Sequence, residues 1–125
     1  IMAHFELAGQ QLAVFGMHLD LSGLWRRRQA AAIIKLAQEK QKDAPVLLMG
    51  DLNEWSATGG CLHDFTRAFQ MVHCGRSFHS RSPIATLDRI MHSDGIQSFE
   101  AGVHDSPAAR KASDHLPVWA KIAVD

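Results

Sequence analysis

Val46-Leu47-Leu48-Met49 runs directly into Gly50-Asp51-Leu52-Asn53. Four apolar residues followed by polar ones read as a central strand over 46–50 whose end carries chemistry. Asp51 and Asn53 stand two apart, so an extended backbone turns both to one face. Gly50 lets the chain bend there without a Cβ clash. Far downstream, Ser113-Asp114-His115 precedes another apolar strand, Leu116-Pro117-Val118-Trp119. It adds a carboxylate and an imidazole. Two carboxylates, an amide and a histidine are what metal-assisted attack of water on a phosphate ester requires. The carboxylates hold a hard cation or a water, and the amide and imidazole steady the developing charge.

Upstream, residues 2–8 and 11–18 read as strands joined by a hairpin at Gly9-Gln10. Leu12, Val14 and Gly16 face one way; Ala13, Phe15 and Met17 face the other. Both sets are apolar, so this strand is expected to be buried on both faces. Ser22 is the expected N-cap of a helix over 24–42, whose buried stripe is Ala30, Ile33, Ile34 and Ala37. Asp43-Ala44-Pro45 ends it, because the residue before proline disfavours helical geometry. Residues 56–60 read as a loop, and a short helix near 61–69 carries Leu62, Phe65 and Phe69. Residues 71–79 have room for a short strand. Strands over 85–92 and 96–104 flank a turn at Ser93-Asp94-Gly95. Residues 105–113 read as a polar loop and 116–123 as the last strand. The order β-β-α-β-α-β-β-β suits an α/β architecture, one helix-covered sheet of a larger sandwich.

The 125 residues allow one domain. Apolar residues make up 46% of the chain, a globular rather than a disordered composition, and no apolar run approaches a membrane span. The first residues carry Glu6 with no basic region before it, unlike a signal peptide. The expected location is cytoplasmic, with secretion of a processed form left open. Net charge is zero with histidines neutral, which gives no support to tight duplex-DNA binding. The one dense basic run, Arg26-Arg27-Arg28, is either a solvated helix face or a phosphate contact. Cys61 and Cys74 are too few for a zinc motif. They form either one disulfide or, as expected here, two free thiols in a reducing compartment.

Gly50-Asp51-Leu52-Asn53 together with Ser113-Asp114-His115 resembles the endonuclease/exonuclease/phosphatase superfamily. That superfamily includes pancreatic deoxyribonuclease, abasic-site endonucleases, bacterial sphingomyelinases and inositol-polyphosphate phosphatases. Three further segments agree in type and order. Phe15-Gly16-Met17-His18-Leu19-Asp20 resembles the family's strand that ends in a histidine. Arg27-Arg28-Gln29 resembles the start of the next helix, and Leu87-Asp88-Arg89-Ile90 the Asp-Arg-Ile strand. The likeness runs from about residue 5 to residue 122 and implies half of a four-layer α/β/β/α sandwich. Its mostly antiparallel or mixed sheet would be covered by helices on one face, with residues 1–125 as the carboxyl-terminal half. The first half normally supplies a metal-binding glutamate and a neighbouring asparagine. Neither motif is found here; Glu6, Glu39, Glu54 and Glu100 lie in other contexts.

The resemblance also implies roles. Asp51 orients or deprotonates the attacking water and shares the metal with Asp114. His18 contacts the phosphate or protonates the leaving oxygen. Asp88 pairs with His115 and fixes its tautomer, and His115 acts on the phosphate as donor or acid/base. Asn53 is expected to donate its amide to a phosphate oxygen, or else to be an Asx-turn residue. The implied cofactor is Mg2+ or Mn2+. His4, His63, His73, His79, His92 and His104 share no spacing and are read as structural or exposed. Trp25 and Trp55 either line a pocket or pack in the core or at the rim.

The expected function is divalent-metal-dependent hydrolysis of phosphate esters, by a phosphodiesterase or phosphatase. A small bacterial hydrolase is the first choice, a nuclease the second and a phospholipid headgroup hydrolase the third. The alternative is a non-catalytic half-module that acts by pairing with itself or another chain. A half sandwich would leave one apolar sheet face open, so a homodimer packed sheet against sheet, or a missing amino-terminal half, is expected to cover it.

Overall fold

Ala8 and Gly9 set the first hairpin. Both take positive φ, 51° and 83°, the two-residue turn whose twist matches its flanking strands. The turn sits one residue earlier than expected, because Leu7 pairs with Gln10. It joins β1 (Met2–Leu7) to β2 (Gln10–His18). The computed structural model describes residues 1–125. After β2 the chain crosses through α1 (Gly23–Lys40) into β3 (Val46–Asp51), which lies parallel to β2. α2 (Gly60–Ala68), β4 (Gln70–Val72) and β5 (Asp88–His92) follow. These strands form a mixed sheet in the order β1-β2-β3-β5-β4. β6 (Ile96–Val103), α3 (Pro107–Ala112) and β7 (Val118–Val124) complete the chain. β6 and β7 form a separate antiparallel pair.

The period-2 pattern of the strands explains the layering. Ala13, Phe15, Val46, Leu48 and Met91 point to one face, where Ala30 and Ala37 of α1 and Leu62 and Phe65 of α2 pack on them. Phe65 is fully buried, a burial worth roughly 2–3 kcal/mol. Leu12, Leu47, Val72 and Ile90 point to the other face. There they meet Ile96 together with Ala101, Val118, Ala120, Ile122 and Val124 of the β6–β7 pair. β2 is therefore buried on both faces, as its sequence suggested.

This packing corrects three expectations. The second sheet face is not left open, since β6–β7 lies over it as a sheet of its own, and the reason for a sheet-against-sheet homodimer disappears. The polar loop over 105–113 contains α3, with Pro107 in its first turn and Ser106 as N-cap, its hydroxyl accepting from the Ala109 N–H. Ser22 starts α1 without a side-chain cap; its own N–H donates to the Asp20 carboxylate. Cys61 and Cys74 are free thiols, as expected. No helix is long and apolar enough to cross a membrane.

Candidate active site

Strand register brings the first three polar side chains together. His18 pairs with Asp51 across β2–β3, and Asp51 pairs with Asp88 across β3–β5. Directly paired residues project to the same side of a sheet. A histidine and two carboxylates thus stand side by side at one sheet end, on the face opposite the helices. Gly50 makes the close approach possible. Its φ is 144°, and a Cβ at this position would overlap the Met17 carbonyl oxygen.

His115 arrives from the segment after α3. Hydrogen bonds anchor that segment on both sides: Leu116 N–H donates to Ser77 O at 2.8 Å, and Ser80 N–H to Asp114 O at 2.7 Å. The His115 ring nitrogen Nδ1 lies 2.7 Å from Asp88 Oδ2, which also accepts from the Ser77 hydroxyl. An ionised carboxylate only accepts, so Nδ1 carries the proton and Nε2 faces the site. Nε2 stands 3.7 Å from Asp51 Oδ2, and His18 Nε2 stands 3.5 Å from the same oxygen. The His18 side chain is 76% exposed while that of Asp51 is 14% exposed. The site is a shielded acid flanked by one held and one wet imidazole.

Charge tunes His115. Burial pulls its pKa down. The hydrogen bond and charge of Asp88, then the charges of Asp51 and Asp114, outweigh that and raise it above the ordinary 6.5.

Asn53 reaches this site by another route than strand alternation. β3 ends at Asp51, and Asn53 sits in left-handed backbone at φ 48°. Its N–H donates to Asp51 Oδ1 at 2.8 Å, an Asx turn in which the aspartate is the acceptor. Its Nδ2 donates to Leu19 O at 2.7 Å, leaving one amide hydrogen for another partner. Asp114 is exposed and lines the same cleft, with Oδ1 3.5 Å from Ser113 Oγ. The cleft, about 870 Å3, thus holds His18, Asp51, Asn53, Asp88, Asp114 and His115, within the size range of small-ligand sites.

Donor atoms of Asp51, Asp88 and His115 lie within 4.8 Å of one another, close enough to hold a metal ion. Two carboxylates and an imidazole suit a divalent cation. Asp88 already accepts two hydrogen bonds through one oxygen, so it serves the His115 ring as well. Asp114 stands outside this cluster. No glutamate lines the cleft. Glu54 is nearby in sequence but buried, 3.3 Å from Arg26 Nε and accepting from the Ser56 and Cys61 N–H groups.

Three contributors take roles that the sequence did not assign to them. Ser77 holds Asp88 from 11 residues away. Arg26 is not part of a solvated face: its side chain is mostly buried and donates to the Asp20 and Leu21 carbonyls as well as to Glu54. Gln29 accepts from the Asp20 N–H through Oε1 and lines the cleft.

Comparison with known proteins agrees with the fold. The sequence model of the Endonuclease/Exonuclease/phosphatase family matches residues 7–115. "Uncharacterized protein YbhP" of Escherichia coli (strain K12) is 29% identical over 124 residues, covering 93% of this chain and 48% of that protein. A functionally unknown conserved protein from Enterococcus faecalis V583 superposes with a TM-score of 0.78 at 25% identity, over 93% of this chain and 51% of that one. The mannosyl-6-phosphatase of Bacteroides thetaiotaomicron VPI-5482 superposes with a TM-score of 0.80 at 21% identity, over 98% of this chain and 55% of that one. The chain spans about half the length of the curated relatives it matches.

Proposed function

The chain belongs to the endonuclease/exonuclease/phosphatase family, and on that footing we propose that its cleft hydrolyses phosphate esters with a bound divalent metal, Mg2+ or Mn2+. We read residues 1–125 as the carboxyl-terminal half of such a domain. The observation that carries the reading is the in-register alignment of His18, Asp51 and Asp88 beneath the Asp88-held His115.

Asp51 Oδ1 is taken by the Asn53 N–H, so Oδ2 is the oxygen that orients the attacking water and takes its proton. The contacts of Oδ2 to the two imidazoles, 3.5 and 3.7 Å, are too long to be strong hydrogen bonds and leave it free. Protonated His115 donates Nε2–H to a phosphoryl oxygen while Asp88 holds the other side of its ring. One such donor is worth about 3–4 kcal/mol to a charged transition state. His18, wet and at the rim, serves the phosphate or the leaving oxygen. Asn53 offers its remaining amide hydrogen. Asp51, with Asp88 or the exposed Asp114, would hold the metal. When bound, the ion supplies charge neutralisation at the phosphate and an acidified water. The free thiols accord with a reducing, cytoplasmic setting. A phosphatase or phosphodiesterase is favoured over a nuclease because the chain has no net positive charge.

The lack of a glutamate in the cleft favours a second reading, in which this half is inert until another segment or chain supplies the missing metal ligand. p-Nitrophenyl phosphate and bis-p-nitrophenyl phosphate, each assayed with Mn2+ and with chelator, test the first reading. It expects slow turnover that chelator abolishes and that falls at least 100-fold in His115→Ala, with Asp51→Ala as the control for contaminants. Turnover that survives chelation, or a mere twofold loss in His115→Ala, would refute it.

A further inference from the structure

Trp55 is a large aromatic side chain at the cleft that is both exposed and packed against a neighbouring ring. The residue is 61% exposed, yet the backbone around it is fixed. Asn53 and Glu54 on one side are buried, and the Ser56 N–H on the other donates to Glu54 Oε1 at 3.1 Å. The indole meets Phe78 edge to face, with ring centroids 5.8 Å apart at 86°. Phe78 in turn lies 4.9 Å from the His115 ring. An aromatic shelf therefore begins at the imidazole assigned to the phosphate and continues into solvent at Trp55. Trp25 differs, since Arg28 already lies over its ring at 4.9 Å.

We infer that Trp55 is a specificity-determining residue that stacks on a sugar ring in the alcohol part of the phosphate ester. The inference rests on the hydrolase reading above. A pyranose or furanose presents an apolar C–H face to an indole and hydroxyls at its edges. Exposed carboxylates of Asp20 and Asp114 line the same cleft and accept hydrogen bonds from hydroxyls. The same two carboxylates repel a second phosphate. That disfavours polyphosphates and nucleic-acid strands, whose readers pair a run of stacking aromatics with a positive groove. Stacking costs little order here, because the loop is already fixed.

Glucose 6-phosphate, acyclic glycerol 3-phosphate and inorganic phosphate are titrated into the 125-residue chain with Mg2+ present. The His115 imidazole NMR shift reports phosphate occupancy. The wild type is expected to bind glucose 6-phosphate about fivefold more tightly than glycerol 3-phosphate. Trp55→Leu is expected to erase that difference while binding inorganic phosphate as before, and Trp55→Phe to retain most of it. Equal affinities of the wild type for ring and acyclic esters overturn the inference alone. So does a parallel loss of inorganic phosphate in Trp55→Leu, which would make Trp55 a merely structural support. Failure of inorganic phosphate to move the wild-type His115 resonance overturns the hydrolase reading and this inference with it.

Discussion

Replacing Arg26 by methionine removes the positive half of a buried pair without opening a large cavity. The Arg26 side chain is 12% exposed and that of Glu54 is 7% exposed, so solvent screens the loss weakly. The guanidinium also donates to Asp20 O at 3.1 Å and Leu21 O at 2.9 Å. Glu54 would keep its charge among only the Ser56 and Cys61 N–H donors. Breaking such a pair from one side costs about 3–5 kcal/mol. For a domain of this size that lowers Tm by roughly 10–20 °C and removes a large part of a total stability of about 5–15 kcal/mol. Urea unfolding of the wild type, Arg26→Met, Glu54→Gln and the double variant measures the coupling, expected at about 2 kcal/mol or more. The pH dependence adds a sign. Burial pushes the Glu54 pKa up, but the Ser56 and Cys61 N–H groups and then Arg26 bring it below the ordinary 4.5. A lowered folded pKa contributes stability that is present above the unfolded value and lost as pH falls through the folded one. The gap between wild type and Glu54→Gln should therefore narrow below about pH 4.5. A cost under 1 kcal/mol for Arg26→Met, or a double variant equal to the sum of the singles, would refute this account of the pair.

Asp88→Asn removes the hydrogen bond and charge that raise His115, so the imidazole NMR titration should move to lower pH than in the wild type. The wild-type midpoint should lie above about 6.5; a midpoint unchanged in the variant would detach Asp88 from the ring. The protonated form of His115 persists in the wild type up to its raised pKa, so any hydrolysis that uses it should decline as pH rises through that value. Gly50→Ala forces a Cβ onto the Met17 carbonyl at a φ that alanine avoids. It should destabilise the chain by about 3 kcal/mol or more in urea, and a near-neutral result would mean that β2 and β3 can part at their functional end.

Much of this architecture was readable because local pattern and function coincide. The two-sided apolar alternation of 11–18 announced a buried strand, and Val46-Leu47-Leu48-Met49 before Gly50-Asp51 announced its neighbour. The stripe Ala30, Ile33, Ile34 and Ala37 placed α1. α3 was readable too: Ser106 before Pro107 and two alanines is a capped start, and the polarity of the segment masked it. The division into two sheets was not readable, because alternation in 116–123 says that Val118, Ala120 and Ile122 face a core without saying which strands they pair with. Asn53 came to the cleft through an Asx turn that strand periodicity cannot foresee. Ser77 and the Arg26–Glu54 pair depend on contacts between residues 11 and 28 positions apart. Propensity is silent about such contacts.

The burial of Cys61 gives the molecule a built-in clock. The thiol is fully buried at the start of α2, and burial, with the charge of Glu54 behind it, pushes its pKa up to about 11. Only a thiolate in contact with solvent is alkylated, so at neutral pH Cys61 reacts when α2 lifts from the sheet and stays silent otherwise. Cys74 is partly accessible and reacts from the closed state. The ratio of the two labelling rates therefore reads the free energy of the lowest opening, local or global, that exposes the start of α2. Because Glu54 receives the Cys61 N–H and also leads into Trp55, the clock times the same loop that carries the aromatic shelf.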